Sequence, residues 1–232
     1  MRTIKTILNL ASELKLRFPS NDESSIVLQA IVNVNHPKML SQDIQLALNI
    51  YRDLFPDAVP IPDDSIKLVD ALKNSLKKHN LQATEFVVSK LLQLYEVIVQ
   101  RHSIILVGEP FSGKTCSYQV LAESIGYIKD TTSEKMKETK IPYKIINPKA
   151  VTMGQLFGQF DAESHEWSDG IIANALREFT SGPSLDKKWL VFDGPIDPIW
   201  IENLNSVMDE NKKFCLMSGE NFQSFKQNFP DF

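Results

Sequence analysis

Eight consecutive residues, Gly108-Glu109-Pro110-Phe111-Ser112-Gly113-Lys114-Thr115, constrain this chain more than any others. They follow directly on the apolar run Ile104-Ile105-Leu106-Val107, so the order predicts a strand, a tight turn and a helix in succession. Gly108 and Gly113 let the backbone curl until several N–H groups point inward, and the positive end of the following helix dipole strengthens their field. Such a cradle suits the phosphates of a nucleoside triphosphate. Lys114 would reach the β- and γ-phosphates and the Thr115 hydroxyl would ligate Mg²⁺, with Glu109, Pro110, Ser112 and Cys116 completing the binding stretch.

A second element of the same kind of site lies some eighty residues later. Trp189-Leu190-Val191-Phe192-Asp193 is four apolar residues ending in aspartate, the pattern of a buried strand that leaves a carboxylate at its tip. Asp193 can support the Mg²⁺ shell. Hydrolysis needs in addition a group that orients and deprotonates water, a role worth about 10²–10⁴-fold. Resemblance to many phosphate-loop ATPases implies a glutamate directly after the aspartate for this role, and here that place is Gly194, which has no side chain. Asp197 and Glu202 are the nearest acids that could substitute, and Asp197, just before Pro198, reads more simply as a helix cap. Turnover is therefore expected to be slow or absent.

With 232 residues, 43% hydrophobic and 23% charged, the chain can bury a substantial core in one or two globular units. A net charge of −4, with acids and bases interspersed, argues against a nucleic-acid partner. Charged residues interrupt the first stretch and no run approaches the length of a membrane span, so a soluble intracellular protein without a membrane partner is expected. Cys116 and Cys215 are too far apart for metal spacing and read as reduced thiols, Cys116 as a small packing residue. His36, His79 and His102 lack partners at ligand spacing, and Trp189 and Trp200 read as packing residues.

Residues 2–100 carry helical periodicity: Ile4, Ile7, Leu8, Ala11 and Leu14; Ile26, Val27, Ala30, Ile31 and Val34; Ile44, Ala47, Tyr51 and Leu54; Val69, Leu72 and Leu76; then Val88, Leu91, Leu92, Tyr95 and Val99. Proline interrupts it at Pro19, Pro37 and across Pro56, Pro60 and Pro62, and the last cluster predicts a domain boundary near residue 60. Beyond it, apolar runs at 104–107, 143–146 and 189–192 alternate with helical stretches near 114–125, 170–180 and 198–209. That interleaving predicts an α/β fold with a parallel sheet. Residues 129–140 read as a solvated excursion.

Two longer stretches carry a resemblance to a known family. One runs Ile146-Asn147-Pro148-Lys149-Ala150-Val151-Thr152-Met153-Gly154-Gln155-Leu156-Phe157-Gly158-Gln159-Phe160-Asp161 and resumes at Ser164-His165-Glu166-Trp167-Ser168-Asp169-Gly170; the other spans residues 189–205 and 209–220. Together they closely resemble the second AAA+ module of dynein heavy chains, of the axonemal type, over about residues 1–220. The resemblance implies a helical small (lid) domain of the preceding module at 1–60, a P-loop AAA+ large domain at 61–220 and an unassigned tail at 221–232. It implies that Arg2 matches a lid arginine that senses nucleotide, and that His165, Trp167 and Asp169 sit in an insert facing the linker side. It further implies MgATP held without turnover, in agreement with Gly194. The implied partners are the other AAA+ modules and the linker, with intermediate chains, light chains and microtubules reached only through the whole motor. The implied location is the cytoplasm, the cytoskeleton and the axoneme of a cilium.

The family's next strand, which carries a nucleotide sensor and lies between the strands ending at Val107 and Phe192, has no counterpart here. The sheet is expected to be incomplete at its C-terminal end, and each buried unpaired backbone group would cost about 1–3 kcal/mol. Two rivals follow: an active ATPase using Asp197 or Glu202, and an interaction fragment that binds no nucleotide.

Overall fold

The computed structural model describes residues 2–58, 66–101, 103–132, 141–181, 188–208, 213–216 and 219–223. The chain divides into two compact units, Met1–Ser124 and Ile125–Asp231. The expected boundary near residue 60, His102, most of the 129–140 excursion and tail residues 224–232 lie outside the described residues.

Helices are the regular elements of the first unit, and no strand occurs among its described residues. Helices α1 (Arg2–Arg17), α2 (Glu23–Asn35), α3 (Ser41–Leu54), α4 (Ile66–Lys78) and α5 (Glu85–Gln100) are followed by α6, Lys114–Thr132. Helix starts follow from local chemistry. The Asp22 carboxylate accepts from the Ser24 N–H at 3.0 Å to cap α2, and Thr84 Oγ1 accepts from the Val87 N–H at 3.3 Å to cap α5. Spacing of three and four then buries one face of each helix: Ile26, Ala30 and Val34 on α2, Leu68, Leu72 and Leu76 on α4, Val88, Leu91 and Leu94 on α5. The periodic sets of α1 and α3 are only partly buried, since Ile4, Leu8 and Leu54 are exposed.

Helices α4 and α6 are joined by polar contacts as well. Ser75 Oγ donates to Glu123 Oε2 at 3.1 Å, His79 Nε2 lies 2.8 Å from the same oxygen, and Lys78 pairs with Oε1. Burial pushes the Glu123 pKa up, but the hydrogen bonds from Lys78, His79 and Ser75 outweigh it and hold the carboxyl below its ordinary value.

The expected strand at 104–107 is absent. Those residues carry no strand pairing, and Val107 is 87% exposed. The physical reason is that a strand exists only through a hydrogen-bonded neighbour, and the first unit has none among its described residues.

The second unit contains the parallel pairing that the sequence predicts. Strands β1 (Tyr143–Ile146) and β4 (Trp189–Phe192) run parallel in register Tyr143↔Trp189 to Ile146↔Phe192. Between them come α7 (Met153–Phe157), an antiparallel hairpin of β2 (Gly158–Phe160) and β3 (Trp167–Asp169), and α8, Ile171–Ser181. After β4 come α9 (Pro198–Glu202), α10 (Asn205–Met208) and a second antiparallel pair, β5 (Lys213–Cys215) with β6 (Asn221–Gln223). Thus the first three residues of the expected tail form a strand. The core gathers Ile146, Leu156, Ile172, Trp200, Leu204, Phe214 and Leu216, with Trp189 half-buried. Helix α7 starts with a reciprocal cap, in which Thr152 Oγ1 accepts from the Gln155 N–H at 3.2 Å and Gln155 Oε1 accepts from the Thr152 N–H at 3.0 Å.

Candidate functional site

The phosphate-loop residues lie in the first unit, between residue 103 and the start of α6 at Lys114. The Ser112 N–H donates to the Glu109 carbonyl at 3.2 Å, which closes a turn over Pro110 and Phe111. Gly113 has φ +82°, a conformation that glycine adopts without a Cβ penalty. Phe111 also has positive φ, +63°, and its ring stands fully in solvent. A Cβ at Gly108 would come within 2.7 Å of Ser112 Oγ, so the first glycine of the motif admits a close approach across the loop.

Lys114 Nζ donates to the Gly108 and Glu109 carbonyls at 2.8 Å each, and Ser112 Oγ lies 3.4 Å away. The amine therefore sits over the curled loop that bears the N–H groups. Thr115 and Cys116 are exposed on the first turn of α6, and Ser117 Oγ donates to the Gly113 carbonyl at 2.8 Å. The donor set fits the triphosphate that the motif predicts: a primary amine, loop amides, a hydroxyl and a helix start are concentrated on eight residues. Cys116 is solvent-exposed rather than packed, standing with exposed Thr115 on the first turn of α6.

Asp193 lies in the second unit. Its N–H donates to the Ile146 carbonyl at 3.0 Å, which extends the β1–β4 ladder by one bond and fixes the carboxylate's residue at the strand tip. The side chain is exposed. Gly194 follows, and a Cβ there would lie 3.0 Å from Asn147 Oδ1 and 3.2 Å from Pro148 Cδ. Asp197 is the N-cap of α9, with Oδ1 accepting from the Ile199 N–H at 3.0 Å, as the Asp-Pro spacing predicts. Its carboxylate is engaged by backbone. Glu202 is exposed at the last turn of the same helix.

The hairpin residues have specific partners. Trp167 Nε1 donates to Asp169 Oδ1 at 2.8 Å, and the indole meets Phe160 edge-on with centroids 5.0 Å apart. Asp169 is further held by Arg177, which also pairs with Glu220. Hydrogen bonds from Arg177, and then from Trp167, hold the Asp169 carboxyl below the ordinary carboxylate range. Sequence reasoning did not single out Arg177. Nothing at a distance of eight residues from Asp169, or forty-three from Glu220, marks it in the sequence. His165 is exposed at φ +54° in the hairpin loop, and the side chain of Arg2 lies outside the described residues.

His79 is satisfied by Glu123, while buried His36 Nε2 has no hydrogen-bond partner. Among the described residues no group of three or more metal-type side chains exists, and no helix is long and apolar enough to cross a membrane.

Comparison with known proteins places these features in a family. Residues 1–115 match the family model described as the hydrolytic ATP binding site of the dynein motor region. Dynein axonemal heavy chain 3 of Homo sapiens is 49% identical over 224 residues, covering 96% of this chain and 5% of that protein. Its Mus musculus counterpart is 48% identical with the same coverage. Dynein axonemal heavy chain 12 of Homo sapiens is 46% identical over 228 residues, covering 98% of this chain and 7% of that protein. The chain thus spans 5% to 7% of the length of these relatives. A motor-region match that ends within the phosphate loop, together with near-complete coverage at almost half identity, means that this chain belongs to the dynein heavy chain family, as a segment of AAA+ motor sequence.

Proposed function

We propose that residues 108–115 bind MgATP in a structural or regulatory role, with little or no hydrolysis at this site. Lys114 would hold the phosphates, Thr115 and Asp193 the Mg²⁺, and the loop amides the remaining phosphate oxygens. Bound Mg²⁺ supplies charge neutralisation of the phosphates. The observation that carries the reading is Gly194: the position directly after Asp193 has no carboxylate, and Asp197, the nearest alternative, caps α9. Loss of a general base removes about 10²–10⁴-fold in rate.

In this reading residues 1–60 are the lid of a preceding AAA+ module and residues 61–220 the large domain of the next. Nucleotide would stiffen the contact between neighbouring modules of a motor ring, and motor work would come from the rest of a longer chain. Microtubules, intermediate chains and light chains are partners only of such a complete motor, located in the cytoskeleton and the axoneme of a cilium.

Fluorescent-ATP titration of the 232-residue chain, alongside steady-state phosphate release, tests the proposal. Saturable Mg²⁺-dependent binding that Lys114→Ala abolishes, with turnover far below 1 s⁻¹, is expected. Turnover near or above about 1 s⁻¹, in the usual enzyme range, would defeat it.

A second reading is favoured by the unpaired run at 104–107, in which Ile105, Leu106 and Val107 stand exposed. If the sheet lacks its central strand, the segment acts as an interaction fragment and binds no nucleotide. Absence of saturable binding at sub-millimolar ATP would select it.

A further inference from the structure

We propose that Arg177 is a shared clasp through which the turn between β5 and β6 stiffens the β2–β3 hairpin, so that the hairpin loosens when Glu220 lets go. Three elements of the second unit meet on this one guanidinium. Asp169 ends β3 and is paired in register with Gly158, so a hold on Asp169 is a hold on the base of both hairpin strands. Glu220 lies between β5 and β6, where its carbonyl accepts from the Leu216 N–H at 2.9 Å and the Gly219 before it has φ +88°. Phe214 and Leu216 are buried in the core, which anchors the turn that carries Glu220. Arg177 itself is fixed to α8.

The guanidinium serves its two carboxylates along two edges. Nη1 donates to Asp169 Oδ2, and Nη2 donates to Asp169 Oδ1 at 3.1 Å. Nε donates to Glu220 Oε1 at 3.3 Å, and Nη2 donates to Glu220 Oε2 as well. Each carboxylate is thus held by a fork of two bonds, the geometry that makes an arginine pair directional. Asp169 Oδ1 also accepts from Trp167 Nε1 at 2.8 Å, which ties the clasp to a second residue of β3.

The side chains are 38% exposed at Arg177, 31% at Asp169 and 41% at Glu220, so water and salt reach the clasp. A single ion pair this open contributes little, because screening and the ordering of a long side chain offset the attraction. Two carboxylates on one guanidinium change that balance. Arg177 surrenders its rotamer freedom once, and either acid, by ordering the fork, prepares it for the other. Hydrogen bonds to Asp169 first and to Glu220 second push the guanidinium pKa up, as two partners on one cation do. The order of the β5–β6 turn is passed to the hairpin in this way.

The test follows amide hydrogen exchange across residues 158–169 of the 232-residue chain at low ionic strength. Glu220→Gln should speed exchange of the hairpin amides about threefold, the size that an exposed pair supports. The Asp161 N–H, which bonds to the Glu166 carbonyl at 2.8 Å, is one of them. Arg177→Gln should speed it more, and adding Glu220→Gln to Arg177→Gln should change nothing further. Unchanged hairpin exchange in Glu220→Gln overturns the proposal, and so does an equal effect of that substitution with Arg177 present and replaced. Circular dichroism checks the fold of each variant. A second measurement needs no substitution: in about 1 M salt, where the Debye length falls to about 3 Å, hairpin amides of the parent chain should exchange faster relative to the Asp193 N–H of the β1–β4 ladder. An equal response to salt at both places overturns the clasp.

Discussion

Gly194→Glu is the substitution that interrogates the missing acid most directly. A carboxylate placed right after Asp193 would supply a general base worth about 10²–10⁴-fold, or about 2.7–5.4 kcal/mol at 1.36 kcal/mol per decade. Against this stands crowding, since the new Cβ would sit 3.0 Å from Asn147 Oδ1 and 3.2 Å from Pro148 Cδ. Asn147 Oδ1 is itself held by the Lys149 N–H at 3.0 Å, yet the side chain is exposed and can yield by a few tenths of an ångström. An off-rotamer displacement of that size costs about 0.5–1.5 kcal/mol. The gain exceeds the cost, so ATP turnover should rise at least about 10-fold in Gly194→Glu. It should rise further in Gly194→Glu/Asn147→Ala, where the nearer of the two crowding atoms is removed. Phosphate release is measured on the purified chain beside fluorescent-ATP binding. If both variants bind ATP as the parent does and turn it over no faster, an absent base is not what limits this site.

Asp197→Ala should destabilise the second unit by about 1 kcal/mol through loss of the α9 cap, measured by urea unfolding, and leave ATP turnover unchanged; a fall in turnover would restore Asp197 as a catalytic candidate. Gly158→Ala should cost about 2–6 kcal/mol, combining a glycine-only backbone conformation with overpacking. The added Cβ meets Trp167 at 2.3 Å and the Ser168 carbonyl at 2.9 Å, with φ at +102°. Tryptophan fluorescence reports it, because all three tryptophans lie in this unit, and an unshifted denaturation midpoint would contradict the geometry. Glu123 has a folded pKa below its unfolded one, so its contribution is present above the ordinary value of 4.5 and lost as pH falls through the depressed folded value. Glu123→Gln should flatten the acid limb of the stability profile below that pH, and an unchanged limb would mean that the α4–α6 contact carries no linkage.

Much of the helical first unit is legible from the sequence, because Ala30, Val34, Leu72, Leu76, Val88 and Leu91 recur at helical spacing and are buried. The strands at 143–146 and 189–192 are equally legible as short apolar runs between helices, and they pair in parallel. The Asp197 cap follows from an Asp-Pro step. What failed was the strand at 104–107: its residues have strand character, but pairing is a property of a neighbour, which no local pattern encodes. The hairpin at 158–169 was missed for a related reason. Its strands are three residues each, too short for alternation to register. Arg177 became visible only once folding brought Asp169 and Glu220 to it.

At the foot of that hairpin, Gly170 lies so close to the preceding turn that a Cβ would fall 2.4 Å from both the Gly158 nitrogen and the Leu156 carbonyl oxygen. Main chain rests on main chain there, with no soft side chain between to absorb a displacement. The loop at 161–166 is consequently mounted on a stiff stem, and any push delivered to its tip arrives undamped at the first residue of α8.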